Sequence, residues 1–85
     1  MTIGVQFAAT LTAHQAVDFF TWGWPQEQDV TWLVVPTTPQ PGAPHVQWSV
    51  ATELASDDSI TYWITVQNLT ADTFDIEGRF AILND

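Results

Sequence analysis

Cysteine is absent from this 85-residue chain, and so is lysine; Arg79 is its one permanently cationic side chain against ten Asp and Glu. The first absence excludes disulfides and thiolate metal sites. The second excludes a phosphate-binding surface, because nucleic acid is gripped by clusters of Lys and Arg. It also excludes an anionic membrane surface as a partner. A formal net charge of −9 leaves a neutral ligand, a cation or a basic protein as partners, and it keeps a small apolar domain apart from its copies. No apolar run approaches the ~20 residues of a membrane span. Met1 to Leu11 has neither a basic region nor a long apolar stretch, so the sequence reads as a soluble chain without a signal peptide, its compartment unspecified.

What replaces disulfides is aromatic mass. Five Trp and five Phe in 85 residues, each removing roughly 150–250 Å² from water when buried, suffice for the core of one domain over residues 1–85.

The dominant pattern is period-two alternation, the mark of strands with one buried face. It runs through Ile3, Val5, Phe7, Ala9 and Leu11; through Val46, Trp48, Val50, Thr52 and Leu54; through Ile60, Tyr62, Ile64 and Val66; and through Phe74, Ile76, Gly78, Phe80 and Ile82. Twelve Thr suit pleated strands. His14 to Trp22 reads as a further strand, its aromatics outweighing a weak helical signal. Val30 to Val35 is apolar on both parities, which predicts a central strand covered on both faces or a strand covered by another subunit. Pro36 to Pro44 carries four prolines and predicts a crossing from one sheet to another.

These elements predict an all-β fold: a small antiparallel two-sheet β-sandwich of about six strands. Centring a hairpin on Asp57 places Leu54, Thr52, Val50 and Trp48 opposite Ile60, Tyr62, Ile64 and Val66. Centring another on Thr70 places Val66, Ile64, Tyr62 and Ile60 opposite Phe74, Ile76, Gly78 and Phe80. Both put the same side of the middle strand into the core, so the sequence predicts a C-terminal three-strand meander, with Tyr62 covering Gly78.

In that register Trp63 points outward between Ala51 and Glu77, with Arg79 diagonal to it. A lone outward Trp is either covered, for example by Arg79 as a cation–π pair, or offered to a sugar ring or a protein partner. Trp22-Gly23-Trp24-Pro25 is the second feature: either two indoles closing the core, or an aromatic-rimmed site with Gln26, Gln28 and Asp29 as polar contacts. The candidate ligand-binding residues are therefore Trp63, Trp22, Trp24, Gln26, Asp29, Glu77 and Arg79.

No catalytic constellation accompanies them. The carboxylates lack the cleft a glycosidase needs, His14 and His45 lack metal-ligand spacing, and no Ser sits in a nucleophile elbow. Asp57-Asp58 and Asp72 offer oxygen to a hard cation but fit no known calcium loop, and they read as turn residues. Asn68-Leu69-Thr70 is a glycosylation sequon. The sequence thus points to a non-catalytic, cofactor-free module binding carbohydrate or a protein partner. The alternatives are a homo-oligomer assembled through Val30–Val35 and the Trp63 face, and an acidic inhibitor of a basic protein.

Overall fold

A computed structural model describes all residues, 1–85. Six strands follow in order: β1 (Thr2–Leu11), β2 (Ala16–Pro25), β3 (Val30–Pro36), β4 (Val46–Leu54), β5 (Ser59–Asn68) and β6 (Phe74–Ile82). They form two three-stranded antiparallel sheets, β1-β6-β3 and β2-β5-β4. The β-sandwich is as the alternation predicts.

The β4–β5 hairpin has the predicted register: Leu54 faces Ile60, Thr52 faces Tyr62, Val50 faces Ile64 and Trp48 faces Val66. A tight turn fixes it. Asp58 N–H donates to the Ala55 carbonyl at 3.0 Å and Ala55 N–H to the Ser59 carbonyl at 2.8 Å. The Asp57 carboxylate accepts from the Ser59 hydroxyl and amide, which holds its pKa below the usual carboxylate value.

The predicted three-strand meander does not form. β6 pairs with β1 and β3 in the opposite sheet, not with β5. The apolar rows of β5 and β6 do point at one another, but across the core rather than side by side. Buried Tyr62, Ile64 and Val66 on one sheet thus pack in a single cluster with buried Phe74 and Ile76 on the other. The glycine on β6 is accordingly covered by a different aromatic: Phe7, its register partner on β1. A Cβ at Gly78 would collide with the Phe7 ring. Gly78→Ala is therefore expected to lose about 1–3 kcal/mol by overpacking, read as a lower urea midpoint; an unchanged midpoint would contradict this packing.

Val30–Val35 is also placed differently. β3 is an edge strand, with Trp32 and Val34 in the core and Leu33 half exposed on the outer face. Its double apolar parity arises from this exposed row, not from a second covering layer. The proline-rich segment after it crosses between sheets, as predicted.

Two bulges re-aim strand faces. In β1 the register steps from Val5–Arg79 to Phe7–Gly78, so Gln6 is an extra residue. Phe7, Ala9 and Leu11 face inward, but the alternation inverts beyond Gln6. Ile3 and Val5 are turned out, and Gly4 lies against the Phe80 ring. In β2 the register steps from Thr21–Tyr62 to Trp24–Ile60, leaving Trp22 and Gly23 opposite Thr61. Gly23 adopts φ 84° there, a conformation open to glycine at little cost.

Asn68 closes one end of the sandwich, and its side chain is fully buried. Its amide nitrogen donates to the carbonyls of Thr12 (2.8 Å), Asp72 (2.8 Å) and Leu11 (3.4 Å). Its amide oxygen accepts from the Thr70 amide (2.8 Å) and hydroxyl (2.9 Å). The β1–β2 and β5–β6 connections are thereby tied to one side chain. The sequon's acceptor nitrogen is thus buried and hydrogen-bonded in the folded domain. At the other end the chain termini meet: the Met1 ammonium lies 3.1 Å from Asp85, whose carboxylate also accepts from the Thr2 hydroxyl. That hydroxyl and the ammonium lower the Asp85 pKa.

Candidate functional site

The outer face of the β2-β5-β4 sheet carries an aromatic strip. Phe20 on β2 faces Trp63 on β5, which faces Ala51 on β4. The Phe20 and Trp63 rings stack with centroids 5.0 Å apart, and Trp22 continues the strip at 5.6 Å from Phe20. The alternation of β2 sends both Phe20 and Trp22 outward, and that of β5 sends Trp63 the same way. The three remain 54%, 71% and 43% exposed. A contiguous exposed apolar strip of this kind makes this face the candidate interaction surface.

The indole N–H of Trp63 donates to Glu53 Oε1 at 3.0 Å, which fixes the ring's orientation. The adjacent cross-strand row is polar: Asp18, Thr65 and Ser49 stand side by side on β2, β5 and β4. The Thr65 hydroxyl donates to Asp18 at 2.8 Å. The next row on the same face holds Gln67 opposite Gln47. These four polar residues of β4 and β5 line a shallow hollow of about 80 Å³. Aromatic rings thus lie beside hydroxyl, amide and carboxylate groups, with no cationic side chain among them.

Comparison with protein-family models, curated proteins and solved structures finds no match to this chain.

The structure brings only part of the predicted set together. Trp63 and Trp22 share the strip. Trp24 does not: the Gly23 bulge turns it inward, where it meets Trp32, Tyr62 and Phe80 edge-on at centroid distances of 5.3–6.2 Å. Its indole N–H donates to the Thr21 hydroxyl at 3.2 Å. Burial, aided by the nearby Asp29 charge, raises the pKa of Tyr62 in this cluster. Glu77 and Arg79 lie on β6 in the opposite sheet, so neither flanks Trp63. Arg79 instead binds Glu77, Nη2 to Oε1 at 2.7 Å. Gln26 and Asp29 belong to the β2–β3 connection at the end of the sandwich. There Asp29 N–H donates to Asn84 Oδ1, and the Asp29 carbonyl accepts from Leu83 N–H.

Sequence reasoning missed Phe20, Asp18 and Glu53. The sequence read His14 to Trp22 as a strand on the strength of its aromatics, which assigned Phe20 no face and did not show that β2 lies beside β5. No group of three or more His, Asp or Glu is placed to hold a metal ion.

Proposed function

We propose that this chain is a non-catalytic carbohydrate-binding module and that its ligand lies on the Trp22–Phe20–Trp63 strip. One observation carries the reading: exposed stacked rings adjoin a row of hydroxyl, amide and carboxylate groups on one rigid sheet face. Sugars present apolar C–H faces ringed by hydroxyls. An aromatic surface takes the former, while Asp18, Thr65, Ser49, Glu53 and the two glutamines take the latter by hydrogen bonding. The net charge supports a neutral ligand over an anionic one, since no cationic side chain stands at the strip to receive an anion. Strand placement means that little needs ordering when the ligand arrives.

The test is a glycan array followed by titration calorimetry with any sugar retained. Trp63→Ala and Trp22→Ala are each expected to weaken binding about tenfold or more, tenfold being about 1.4 kcal/mol, at unchanged melting temperature. Normal binding by both variants, or retention of no sugar by the native chain, removes the reading.

A further inference from the structure

A small sandwich has four edge strands, and three here are blunted. β1 and β2 each carry a bulge, and β2 also ends in Pro25. β3 is the shortest strand and ends in Pro36. Bulges, prolines and short lengths are what keep sheet edges from pairing with other chains. β4 has none of these devices. It is nine residues long, pairs with β5 without a register shift, and contains neither proline nor lysine.

Its core-side row is also incompletely covered. Val50 and Leu54 face the same side as their partners Ile64 and Ile60, yet they are 42% and 56% exposed. An added strand would extend the sheet and shelter them.

The sequence of β4 is complementary to itself when reversed about Val50. In an antiparallel pair of copies Val46 meets the partner's Leu54, Trp48 meets the partner's Thr52, and Val50 meets the partner's Val50. On the outer face Ser49 meets the partner's Ala51. The strand's one charge, Glu53, meets the partner's Gln47, an amide able to donate to it. A chain of charge −9 thus finds here an edge where no like charges stand opposed. Each contact is matched by its symmetry mate, as a twofold interface requires.

We propose that β4 is a dimerisation edge, two copies pairing β4 to β4 antiparallel about a twofold axis at Val50. The product is a continuous six-stranded sheet, β2-β5-β4 joined to its mate. Both aromatic strips then lie on one outer face, with the two Trp63 about 15 Å apart, three strand spacings plus a small stagger. If the strips bind sugar, as proposed above, the dimer is bivalent for a single extended glycan; the dimer itself does not depend on that reading.

Light scattering on the native chain should give twice the 9.5 kDa chain mass. Val50→Lys, which sets two ammonium groups face to face at the axis, should give the single-chain mass with an unchanged circular dichroism spectrum. Since the chain has no other thiol, Val50→Cys should cross-link into dimers under mild oxidation, while Leu33→Cys on the β3 edge should not. The Val50→Cys trap decides the matter if Val50→Lys fails to fold. A single-chain mass for the native protein at every concentration up to about 1 mM overturns the proposal. So does a dimer that survives Val50→Lys, or one trapped through Leu33→Cys instead.

Discussion

Replacing Trp24 with alanine is expected to destabilise the domain by about 3–5 kcal/mol, whereas the same change at Trp22 should stay within ~0.5 kcal/mol. The two indoles are separated by one glycine. Along an unbroken strand they would share a face. The bulge opposite Thr61 inserts a residue and reverses the parity, so Trp22 stays outside while Trp24 enters the core. Inside, Trp24 touches three other aromatic rings, each edge-to-face contact adding roughly 0.5–1.5 kcal/mol beyond area burial. A domain of this length has a total stability of roughly 4–13 kcal/mol at 0.05–0.15 kcal/mol per residue. Trp24→Ala should therefore lower the melting temperature by about 12 °C or more, at ~4–8 °C per kcal/mol, and leave a large part of the protein unfolded if native stability is at the low end. Thermal melts of the two variants side by side decide it. Equal losses would mean that the bulge does not re-aim Trp24.

Substitution of Asn68 should have an effect of similar size by a different mechanism. Asn68→Ala strips partners from the carbonyls of Thr12 and Asp72 and from the Thr70 amide at a buried site. Each orphaned buried group costs about 1–3 kcal/mol, and some will find water as the loops loosen, so a net loss of about 2–4 kcal/mol is expected. Asn68→Asp is the sharper test. It is isosteric, yet it directs a carboxylate oxygen at carbonyls that received an N–H. Burial and the facing carbonyls raise that carboxyl's folded pKa above its unfolded value of about 3.9. The variant is therefore least destabilised below the unfolded pKa, where the protonated acid can donate one hydrogen bond. It loses that stability as pH rises through the raised folded value. Urea midpoints at pH 4 and pH 7 should show the gap to the native protein narrowing on acidification; a gap independent of pH would contradict the assigned donor role of the Asn68 nitrogen.

The two residues differ in how far the sequence exposed them. Trp24 was visible as a large side chain near a glycine, but its direction depended on a bulge that alternation does not reveal. Asn68 read only as a sequon, because a polar residue ending a strand is ordinary until the Thr12 carbonyl arrives from 56 positions away to join its local partners Thr70 and Asp72. The candidate site shows the same division. Trp22 and Trp63 were legible as large aromatics at strand positions. Phe20 joins them only because β2 lies beside β5, a pairing between strands far apart in sequence.

Alternation determined which side chains of β4, β5 and β6 turn toward the core, since successive residues of a strand must point to opposite faces. The short Ala55–Ser59 turn then determined the β4–β5 register, because few connecting residues leave few geometries. What alternation does not encode is whether two apolar rows that face each other are hydrogen-bonded neighbours or opposite walls of a core. For β5 and β6 the tertiary structure chose the second. Asn68 gathers the Leu69–Thr73 connection so that the chain leaves one sheet for the other, and Phe7 completes the cover over Gly78. That choice separates Arg79 and Glu77 from Trp63, puts Phe20 and Asp18 in their place, and leaves β4 as an open edge. The physical reason is that burial is non-directional: it can shelter Phe74 and Ile76 in either arrangement, so the apolar pattern of the strands does not by itself choose between them.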